Sequence, residues 1–409
     1  MIKFALIKER KTPPDRRVVF SPEMLKKAKA KYPDAEFKVE SSDIRVFNDD
    51  EYRAAGFEVS EDISDCDVLL GVKEVPIPAL IPDKKYFFFS HTIKKQPYNR
   101  DLLREIIARN IELYDHEVIV NEKSARLIGF GRYAGLVGAY NIIRAIGMRE
   151  NSFDLPKAEN LPDLNAMLSE LDNVNLPAFK FVLTGSGKVA RGAKEILDHL
   201  EIQQVSPEDY LNREFDNPVF CHIDVLDYSK KVDNSEATRR EYYNHPENFE
   251  SDFYKFAKSS DVFVAGHFYG QGSPVFFTAE EAKSEDFRIK YVADISCDIA
   301  GPVASTIRPS TIAEPLYGYD PKLEIETDYR EPGSIVVMAV DNLPCELPKD
   351  ASEGFGEMFL KWVVPAFFDN DKNGILERAR MTQNGKLTER FNYLEDYVEG
   401  KIHEHEGHE

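Results

Sequence analysis

Polar side chains that could transfer protons follow three apolar segments in the first third of the chain. Lys73 and Glu74 come after the first segment, His91 after the second and Glu117 after the third. Lysine and histidine are common general acids and bases, and ligands of an open parallel sheet bind beyond the carboxyl ends of its strands. If the three segments are neighbouring strands, these side chains meet in one cleft. Taken singly, each is better explained as a solvated lysine, a capping histidine or a surface carboxylate, and it is their equivalent positions together that make a catalytic role equally plausible.

Arg17 is a candidate anchor for a substrate carboxylate. It precedes Ser21-Pro22, which is typical of the start of a helix. A guanidinium held there could bind a carboxylate through two parallel hydrogen bonds. The local pattern alone favours a surface arginine.

A glycine-rich loop in the middle of the chain follows an apolar segment and opens a helical one. The loop and the first helical residues are Gly185, Ser186, Gly187, Lys188 and Val189, followed by Ala190 in the third position of the G-x-G-x-x-G/A fingerprint. Such a loop lets the backbone approach a pyrophosphate, which then lies at the positive end of the helix. We therefore predict a dinucleotide site here.

The choice between NADH and NADPH is open. An acidic residue at the end of the second strand usually binds the ribose hydroxyl of NAD. Here the segment expected to form that strand ends at Val205 and is followed by Ser206, so the first acid, Glu208, comes late. The missing acid weakly favours NADPH, because an aspartate would repel its 2′-phosphate.

Two runs of alternating strands and helices position these residues, as expected of an α/β protein. The predicted strands are Lys3–Ile7, Asp67–Val72, Tyr86–Ser90, Ile111–Tyr114, Phe179–Thr184, Ile202–Val205, Asp261–Ala265, Lys290–Ile295 and Ser334–Val340. The predicted helices are Leu102–Arg109, 131–149, Asn165–Leu171, Ala351–Val363, Leu376–Met381 and Leu387–Tyr397. The polar stretch Asn212–Asn248 is interpreted as an insertion, and the tail His403–Glu409 as a frayed terminus rather than a metal site.

Composition excludes several classes of function. The chain has 409 residues, which predicts at least two domains. With 52 Lys and Arg against 72 Asp and Glu, its net charge is −20, so we expect neither nucleic acid nor an anionic membrane as partner. Charges interrupt the apolar residues of the N-terminus, which predicts no signal peptide. The single cysteines Cys66, Cys221, Cys297 and Cys345 predict reduced thiols in the cytoplasm and no metal site.

Several motifs in one order carry a resemblance over nearly the whole chain. They begin at Leu70 (LGVKE), Phe88 (FFSHTIK), Gly129 (GFGRYAG), Thr184 (TGSGKVARGA), Asp294 (DISCD) and Val340 (VDNLP). With these motifs the sequence resembles the lysine-forming saccharopine dehydrogenases, and most closely the lysine–ketoglutarate reductase half of aminoadipic semialdehyde synthase. More remotely it is similar to alanine dehydrogenase and the related transhydrogenase domain.

The resemblance assigns roles to residues of this sequence. It implies that Lys73 and His91 are the acid–base pair and that Arg17 binds substrate. It further implies substrate contacts from Glu74, Gln96 and Glu117. Cofactor contacts are expected from Arg126, Phe130, Gly185, Ser186, Gly187, Lys188, Val189, Ser206, Asp294, Asp298, Asp341 and Asn342. Where the lysine-biosynthetic enzymes have two adjacent arginines, this chain has Ala125-Arg126, a departure that favours the reductase half and NADPH.

The resemblance also implies a fold and a reaction. The expected fold is α/β, with two Rossmann-like doubly wound domains and a cleft between them. The substrate domain is expected to be discontinuous, with residues 1–137 and 342–409, and residues 138–341 form the dinucleotide-binding domain. The expected reaction is the reversible, NADH- or NADPH-dependent condensation of L-lysine with 2-oxoglutarate to saccharopine, by the reductase half alone.

Two other functions are compatible with the same residues. An alanine-dehydrogenase-like enzyme acting on a small amino acid would share the lysine, the histidine and the arginine. A non-catalytic nucleotide sensor would need only the glycine loop. The sequence does not indicate an oligomeric state.

Overall fold

The computed structural model describes residues 1–299 and 301–401, and its contacts divide the chain into two compact units. The first unit is Met1–Phe130 with Pro348–Glu409, and the second is Gly131–Leu347. The boundary expected after residue 137 falls inside one continuous helix, Gly131–Glu150, which belongs to the second unit. The tail His403–Glu409 lies outside the described residues.

Strands and helices alternate through most of the chain. The strands are β1 (Lys3–Leu6), β2 (Glu36–Glu40), β3 (Glu58–Ser60), β4 (Val68–Lys73), β5 (Lys85–Phe89), β6 (Glu112–Asp115), β7 (Lys180–Thr184), β8 (Gln203–Gln204), β9 (Val219–Ile223), β10 (Ser229–Lys231), β11 (Phe249–Ser251), β12 (Val262–Ala265), β13 (Tyr291–Asp294), β14 (Leu316–Asp320), β15 (Ile325–Thr327), β16 (Ile335–Met338), β17 (Thr382–Gln383) and β18 (Lys386–Leu387). The α-helices are α1 (Pro22–Lys31), α2 (Asp49–Ala54), α3 (Arg100–Ala108), α4 (Gly131–Glu150), α5 (Leu164–Glu170), α6 (Lys188–His199), α7 (Pro207–Asn212), α8 (Val225–Tyr228), α9 (Arg239–Asn244), α10 (Tyr254–Ala257), α11 (Ala279–Ala282), α12 (Pro348–Trp362), α13 (Ile375–Ala379) and α14 (Glu395–Glu399).

The first unit is built on a parallel six-stranded sheet in the order β3-β2-β1-β4-β5-β6. Its central strands β1, β4 and β5 are apolar on both faces because helices cover both sides, as is usual in parallel sheets. Successive residues of β5 illustrate this: Phe87 faces one core, whereas Tyr86 and Phe88 face the other. Ser21 caps α1 by accepting a hydrogen bond from the backbone of Met24, which confirms the predicted helix start.

The segment after residue 347 completes both cores of the first unit. Phe355 and Phe359 of α12 are fully buried against the face that contains Phe87. On the opposite face, Phe391 and Leu394 pack with the residues around Tyr86. The N-terminal 130 residues therefore depend on the C-terminal segment for a closed hydrophobic core.

The second unit contains an eight-stranded sheet in the order β15-β14-β16-β13-β12-β7-β9-β8. Its strands are parallel except β14, which runs antiparallel to both of its neighbours. The α/β class and the two Rossmann-like parallel sheets confirm the predicted fold class. Within the described residues, no helix is both long and apolar enough to span a membrane.

Interpreting 212–248 as an insertion was wrong for a segment near its start. Residues Val219–Ile223 form β9, which lies between β7 and β8 in the main sheet. The strand escaped notice because its five residues are flanked by polar ones on both sides. The remainder of the stretch forms α8, β10 and α9 outside the main sheet.

Candidate active site

Lys73 and His91 lie at the carboxyl ends of neighbouring strands. Lys73 is the last residue of β4, and the register pairs it with Phe89, the last residue of β5, so that His91 follows just beyond. The backbone of His91 has a φ of +56°, an uncommon conformation for a residue other than glycine. Such conformations are concentrated at functional sites, where surrounding structure holds them in place. The strand ends thus present a lysine and a histidine at one edge of the sheet.

Arg17 is anchored by a carboxylate that the sequence analysis did not single out. Its Nε and Nη2 donate to the two oxygens of Asp15 at 3.1 and 2.8 Å. The Lys73 Nζ lies 3.8 Å from the same carboxylate. Burial acts to raise the pKa of Asp15, but Arg17 and Lys73 outweigh it and hold that pKa below its usual value. Asp15 therefore places the Arg17 guanidinium beside Lys73.

Glu9 holds the backbone at the end of β4, where Lys73 lies. Its carboxylate oxygens accept hydrogen bonds from the backbone N–H groups of Val72 and Lys73, at 3.2 and 2.6 Å. Burial, reinforced by the nearby Asp15 carboxylate, raises the pKa of Glu9 to about 7. The backbone that carries Lys73 is thus held by an acid whose charge changes near neutral pH.

His91 faces the Glu117 carboxylate, with 3.9 Å between Nδ1 and Oε1. Glu117 follows β6, the next strand of the sheet, and its backbone N–H donates to the buried Asp115 at 2.8 Å. The same Asp115 accepts from the backbone N–H of Ser90 at 3.0 Å. Burial raises the pKa of Asp115 to about 6, although hydrogen bonds from Ser90 and Glu117 oppose this shift. Asp115 therefore ties together the loops that carry His91 and Glu117.

The other predicted residues of the first unit occupy different positions. Glu74 is nearly buried and its Oε1 lies 2.8 Å from the Lys11 Nζ. Gln96 is half-buried at the start of a 3₁₀ turn, and its backbone carbonyl accepts a hydrogen bond from the Tyr397 hydroxyl. Arg126 is exposed. Phe130 lies under Arg17, whose Cζ is 4.3 Å from the ring centroid.

His116 is a buried residue of this strand edge that the sequence analysis passed over. Its Nε2 is 2.8 Å from the carbonyl oxygen of Gly71, and its ring contacts Phe355 edge-on at 5.0 Å. Its Nδ1 is buried, and no residue of the described part of the chain hydrogen-bonds to it. Burial lowers the pKa of His116 to about 4, so the ring is neutral at physiological pH. Its position in the sequence could have indicated it, because His116, like Glu117, follows the end of β6.

In the second unit, the glycine loop makes a tight turn and leads directly into the N-terminus of α6. Gly185 has a φ of +107°, and a Cβ there would meet the carbonyl oxygen of Gly266 at 2.3 Å. Gly187 precedes α6, and the space around its absent Cβ is open to 4 Å. Ser186, Gly187 and Lys188 are exposed. An open backbone at a helix N-terminus fits the phosphates of a dinucleotide.

The helix that follows the glycine loop, α6, packs closely against α4. A Cβ at Gly135 of α4 would meet the carbonyl oxygen of Val189 at 2.0 Å, and one at Gly192 would meet that of Arg132 at 2.1 Å. Val189 is half-buried and lies against α4, where a Cβ at Gly131 would meet its side chain at 3.4 Å. The glycines of the Gly129-to-Gly135 motif and of α6 thus allow the two helices to touch through their backbones.

The expectation that Ser206 marks the ribose position is corrected by the sheet order. Ser206 follows β8, but β9 lies between β8 and β7. The Ser206 side chain accepts a hydrogen bond from the backbone of Asp209 and caps α7. The strand end that adjoins the glycine loop is that of β9, and the residue after it is Asp224. The sequence could not reveal this, because chain order and sheet order differ here.

The remaining predicted cofactor residues follow the strands on the other side of β7. Asp294 ends β13 and is fully buried, accepting hydrogen bonds from Ser296, Cys297 and Thr306 at 2.6 to 2.9 Å. Its carboxylate therefore holds the following turn and is not presented at the surface. Asp298 lies half-buried on that turn, Asp341 is exposed after β16, and Asn342 precedes a 3₁₀ turn.

His267 is a further buried group that the sequence analysis did not identify. It follows β12, and its Nδ1 is 2.7 Å from the Thr184 hydroxyl at the end of β7. Its ring stacks on Phe276 at 4.0 Å between centroids. Burial lowers the pKa of His267 to about 3, so it is neutral. It fixes the ends of β7 and β12, between which the sheet order reverses.

The amino-acid sequence of the chain is similar to those of known proteins. Residues 5–137 match the family described as alanine dehydrogenase/PNT, N-terminal domain. The chain is 27% identical over 415 residues to the mitochondrial alpha-aminoadipic semialdehyde synthase of Mus musculus, covering 89% of this chain and 44% of that protein. It is 27% identical over 336 residues to the NAD(+)-dependent, L-lysine-forming saccharopine dehydrogenase of Yarrowia lipolytica, covering 80% of this chain and 83% of that protein. The chain is similar to both groups of enzymes. It spans less than half the length of the semialdehyde synthase.

Solved structures agree on the fold. An L-alanine dehydrogenase superposes with a TM-score of 0.64 at 14% identity, covering 98% of this chain and all of that chain. A transhydrogenase from Sinorhizobium meliloti gives a TM-score of 0.59, also at 14% identity, covering 94% of this chain and all of that chain. At this identity the likeness concerns the fold alone.

Proposed function

We propose that this protein is a nicotinamide-dependent dehydrogenase that condenses L-lysine with 2-oxoglutarate to saccharopine. The observation that carries the proposal is found at the ends of the neighbouring strands β4 and β5, where Asp15 pairs with Arg17 and Lys73 and Glu117 faces His91. The similarity to saccharopine dehydrogenases and aminoadipic semialdehyde synthases supports the choice of substrates.

The proposed chemistry needs several proton transfers before reduction. The ε-amine of lysine loses a proton and attacks the keto carbon of 2-oxoglutarate, and a proton then passes from the bonded nitrogen to the alkoxide oxygen to give a carbinolamine. The resulting carbinolamine then takes up a proton and loses water, leaving a carbon–nitrogen double bond. We assign these transfers to Lys73 and His91, because lysine and histidine are common general acids and bases and these two residues lie at neighbouring strand ends.

Arg17 is assigned to a substrate carboxylate. Asp15 engages Nε and Nη2, which fixes the plane of the guanidinium, and the Phe130 ring supports one face of it. A pre-oriented cation of this kind binds a carboxylate with little loss of side-chain freedom. Glu117 is assigned to orienting His91. The carboxylates of Glu117 and Glu74 can also attract the amino group of lysine.

The second unit is assigned to the cofactor, which supplies the hydride that reduces the double bond. The exposed backbone of Ser186 and Gly187 and the first turn of α6 would hold the pyrophosphate. Asp341 and Asn342 lie beyond β16 at the same carboxyl edge of the sheet and are assigned to the nicotinamide side.

The test is an omission experiment on the purified full chain. Oxidation of NADPH or NADH is followed with L-lysine and 2-oxoglutarate together, and with each omitted in turn, while mass spectrometry monitors saccharopine. We expect oxidation and product only with both substrates present. Equal or faster turnover with pyruvate and ammonia would instead indicate an alanine-dehydrogenase-like enzyme, and cofactor binding without any turnover would indicate a sensor.

A further inference from the structure

The end of β9 lies directly against the glycine loop. Thr184 of β7 pairs with Ile223 of β9, and the backbone N–H of Gly185 donates to the carbonyl of Ile223 at 3.1 Å. His222 adds a contact of 2.5 Å from its Nε2 to the carbonyl oxygen of Gly185. The next residue, Asp224, therefore stands beside the loop.

Arg239, on α9, contacts both the glycine loop and Asp224. Its Nη2 donates to the Ser186 Oγ of the glycine loop at 2.9 Å, and its Nε lies 3.1 Å from Oδ2 of Asp224. The side chains of Arg239 and Asp224 are 52% and 29% exposed, so the pair lies open to a ligand. One guanidinium thus bridges the loop and the neighbouring strand end.

This position is where dinucleotide folds read the 2′ substituent of the adenosine ribose. A carboxylate there accepts hydrogen bonds from the hydroxyls of NADH, and a nearby arginine accommodates the phosphate of NADPH. Asp224 alone would repel a phosphate, since the two charges have the same sign. Arg239 neutralises Asp224 and brings a phosphate-binding group to the same place.

We propose that Arg239 binds the 2′-phosphate of NADPH and sets the preference of the protein for that cofactor. The proposal rests on the proposed function in requiring a nicotinamide cofactor, but not on the identity of the other substrates. A guanidinium has five N–H donors in one plane. It can keep its bond to Asp224 while it turns from Ser186 to a phosphate. Asp224 is then a positioning residue for Arg239.

The test measures binding without turnover, so that it is independent of the lysine reaction. Isothermal titration compares adenosine 2′,5′-bisphosphate with 5′-AMP, which differ only in the 2′-phosphate, and NADPH with NADH. For the wild type we expect the 2′-phosphorylated member of each pair to bind more tightly. Arg239→Ala should raise the Kd of the 2′-phosphorylated ligands roughly 10- to 100-fold, the effect of losing hydrogen bonds between charged groups, and change the Kd of 5′-AMP and NADH less than about threefold.

Matched variants separate this role from a general loss of charge. Arg240→Ala removes the neighbouring exposed arginine. It should leave unchanged both ratios of Kd values, that of 5′-AMP to adenosine 2′,5′-bisphosphate and that of NADH to NADPH. Arg239→Lys should retain part of the preference, because a lysine binds phosphate as a point charge. If Arg239→Ala folds normally and the ratios of the Kd values stay at the wild-type level, the proposal is overturned. If the wild type binds the cofactors but does not condense lysine with 2-oxoglutarate, only the proposed function fails; if it binds neither cofactor, both fail.

Discussion

Asp15 joins the two cationic side chains of the first unit's strand edge. It accepts two hydrogen bonds from Arg17 and lies 3.8 Å from the Lys73 Nζ. A buried carboxylate shared in this way keeps two positive charges close together without leaving either unpaired. Asp15 therefore holds a fixed guanidinium next to a lysine, an arrangement that the proposed reaction requires.

The acid–base assignment predicts the behaviour of two variants. Lys73→Met and His91→Gln should each lower kcat by about 10²- to 10⁴-fold, the usual contribution of a general acid or base. Cofactor binding should change little, because the glycine loop lies in the second unit. The double variant should lose far less than the product of the single losses, since both residues act on one proton path.

Steady-state kinetics and cofactor titration on the three variants check this prediction. Lys27→Met, which removes an exposed lysine of α1, is the control and should retain wild-type kcat. Near-wild-type kcat for Lys73→Met would make Lys73 a structural partner of Asp15 and end its catalytic assignment.

Glu9 predicts a pH dependence of stability. Its pKa is raised by burial from 4.5 to about 7, so the folded protein holds this proton more tightly than the unfolded chain. Its contribution to stability is therefore complete below about pH 4.5 and is lost as the pH rises through 7. Between pH 5 and 8 we expect a loss on the order of 2 to 3 kcal/mol from this group.

The measurement is urea unfolding of wild type and Glu9→Gln across that range. The free energy of unfolding of the wild type should fall relative to that of the variant as the pH rises. The lost hydrogen bonds of Glu9 should also shift the free energy of unfolding of the variant by a constant amount. This shift does not change how the difference between the two proteins varies with pH. The exposed Glu122→Gln variant should follow the wild-type curve, and parallel curves for Glu9→Gln would refute the prediction.

At the scale of elements, the two glycines of the loop should respond differently to alanine. Gly185→Ala places a Cβ 2.3 Å from the Gly266 carbonyl oxygen at a φ of +107°, and should destabilise the protein by more than about 2 kcal/mol. Gly187→Ala meets open space and should fold like the wild type, but its methyl group would project into the space proposed for the pyrophosphate. We expect its Kd for the cofactor to rise about tenfold or more.

Thermal unfolding and cofactor titration on both variants distinguish the two effects. Gly272→Ala is a useful further control, because it combines a positive φ of +83° with open space around the added methyl group. It should show only the backbone cost. If Gly187→Ala binds the cofactor as well as the wild type, the loop does not hold the pyrophosphate.

What the sequence predicted well were elements whose local pattern agrees with their place in the fold. The strand at Phe179–Thr184, the glycine turn and the helix after it agree with β7, Gly185 and α6 to within a residue or two. The residues that were missed act through partners distant in the chain. Glu9 contacts Lys73, and β9 enters the sheet between β7 and β8, because of pairings that no local pattern encodes. Asp15 stood two residues from Arg17, but only burial reveals why it matters.

At the scale of the molecule, the division into units predicts how fragments behave. Without residues 348–409 the first unit loses Phe355, Phe359, Phe391 and Leu394, which lie in the cores on both faces of its sheet. Each fully buried side chain of this size contributes about 1.5 to 3 kcal/mol, against a total stability of about 5 to 15 kcal/mol for a domain. A chain of residues 1–347 should therefore fail to fold its first unit.

The second unit should fold alone, since residues 131–347 are continuous and contain their own core. A fragment of these residues should unfold cooperatively on heating and bind NADPH within about tenfold of the full chain. The measurements are circular dichroism during heating and titration with NADPH, on this fragment, on residues 1–347 and on the full chain. In residues 1–347 the transition of the second unit should persist, while the far-ultraviolet signal of the first unit should be lost at all temperatures. Two full transitions in residues 1–347 would show that the N-terminal 130 residues close their core without the C-terminal segment, and the assignment of that segment to the first unit would then be wrong.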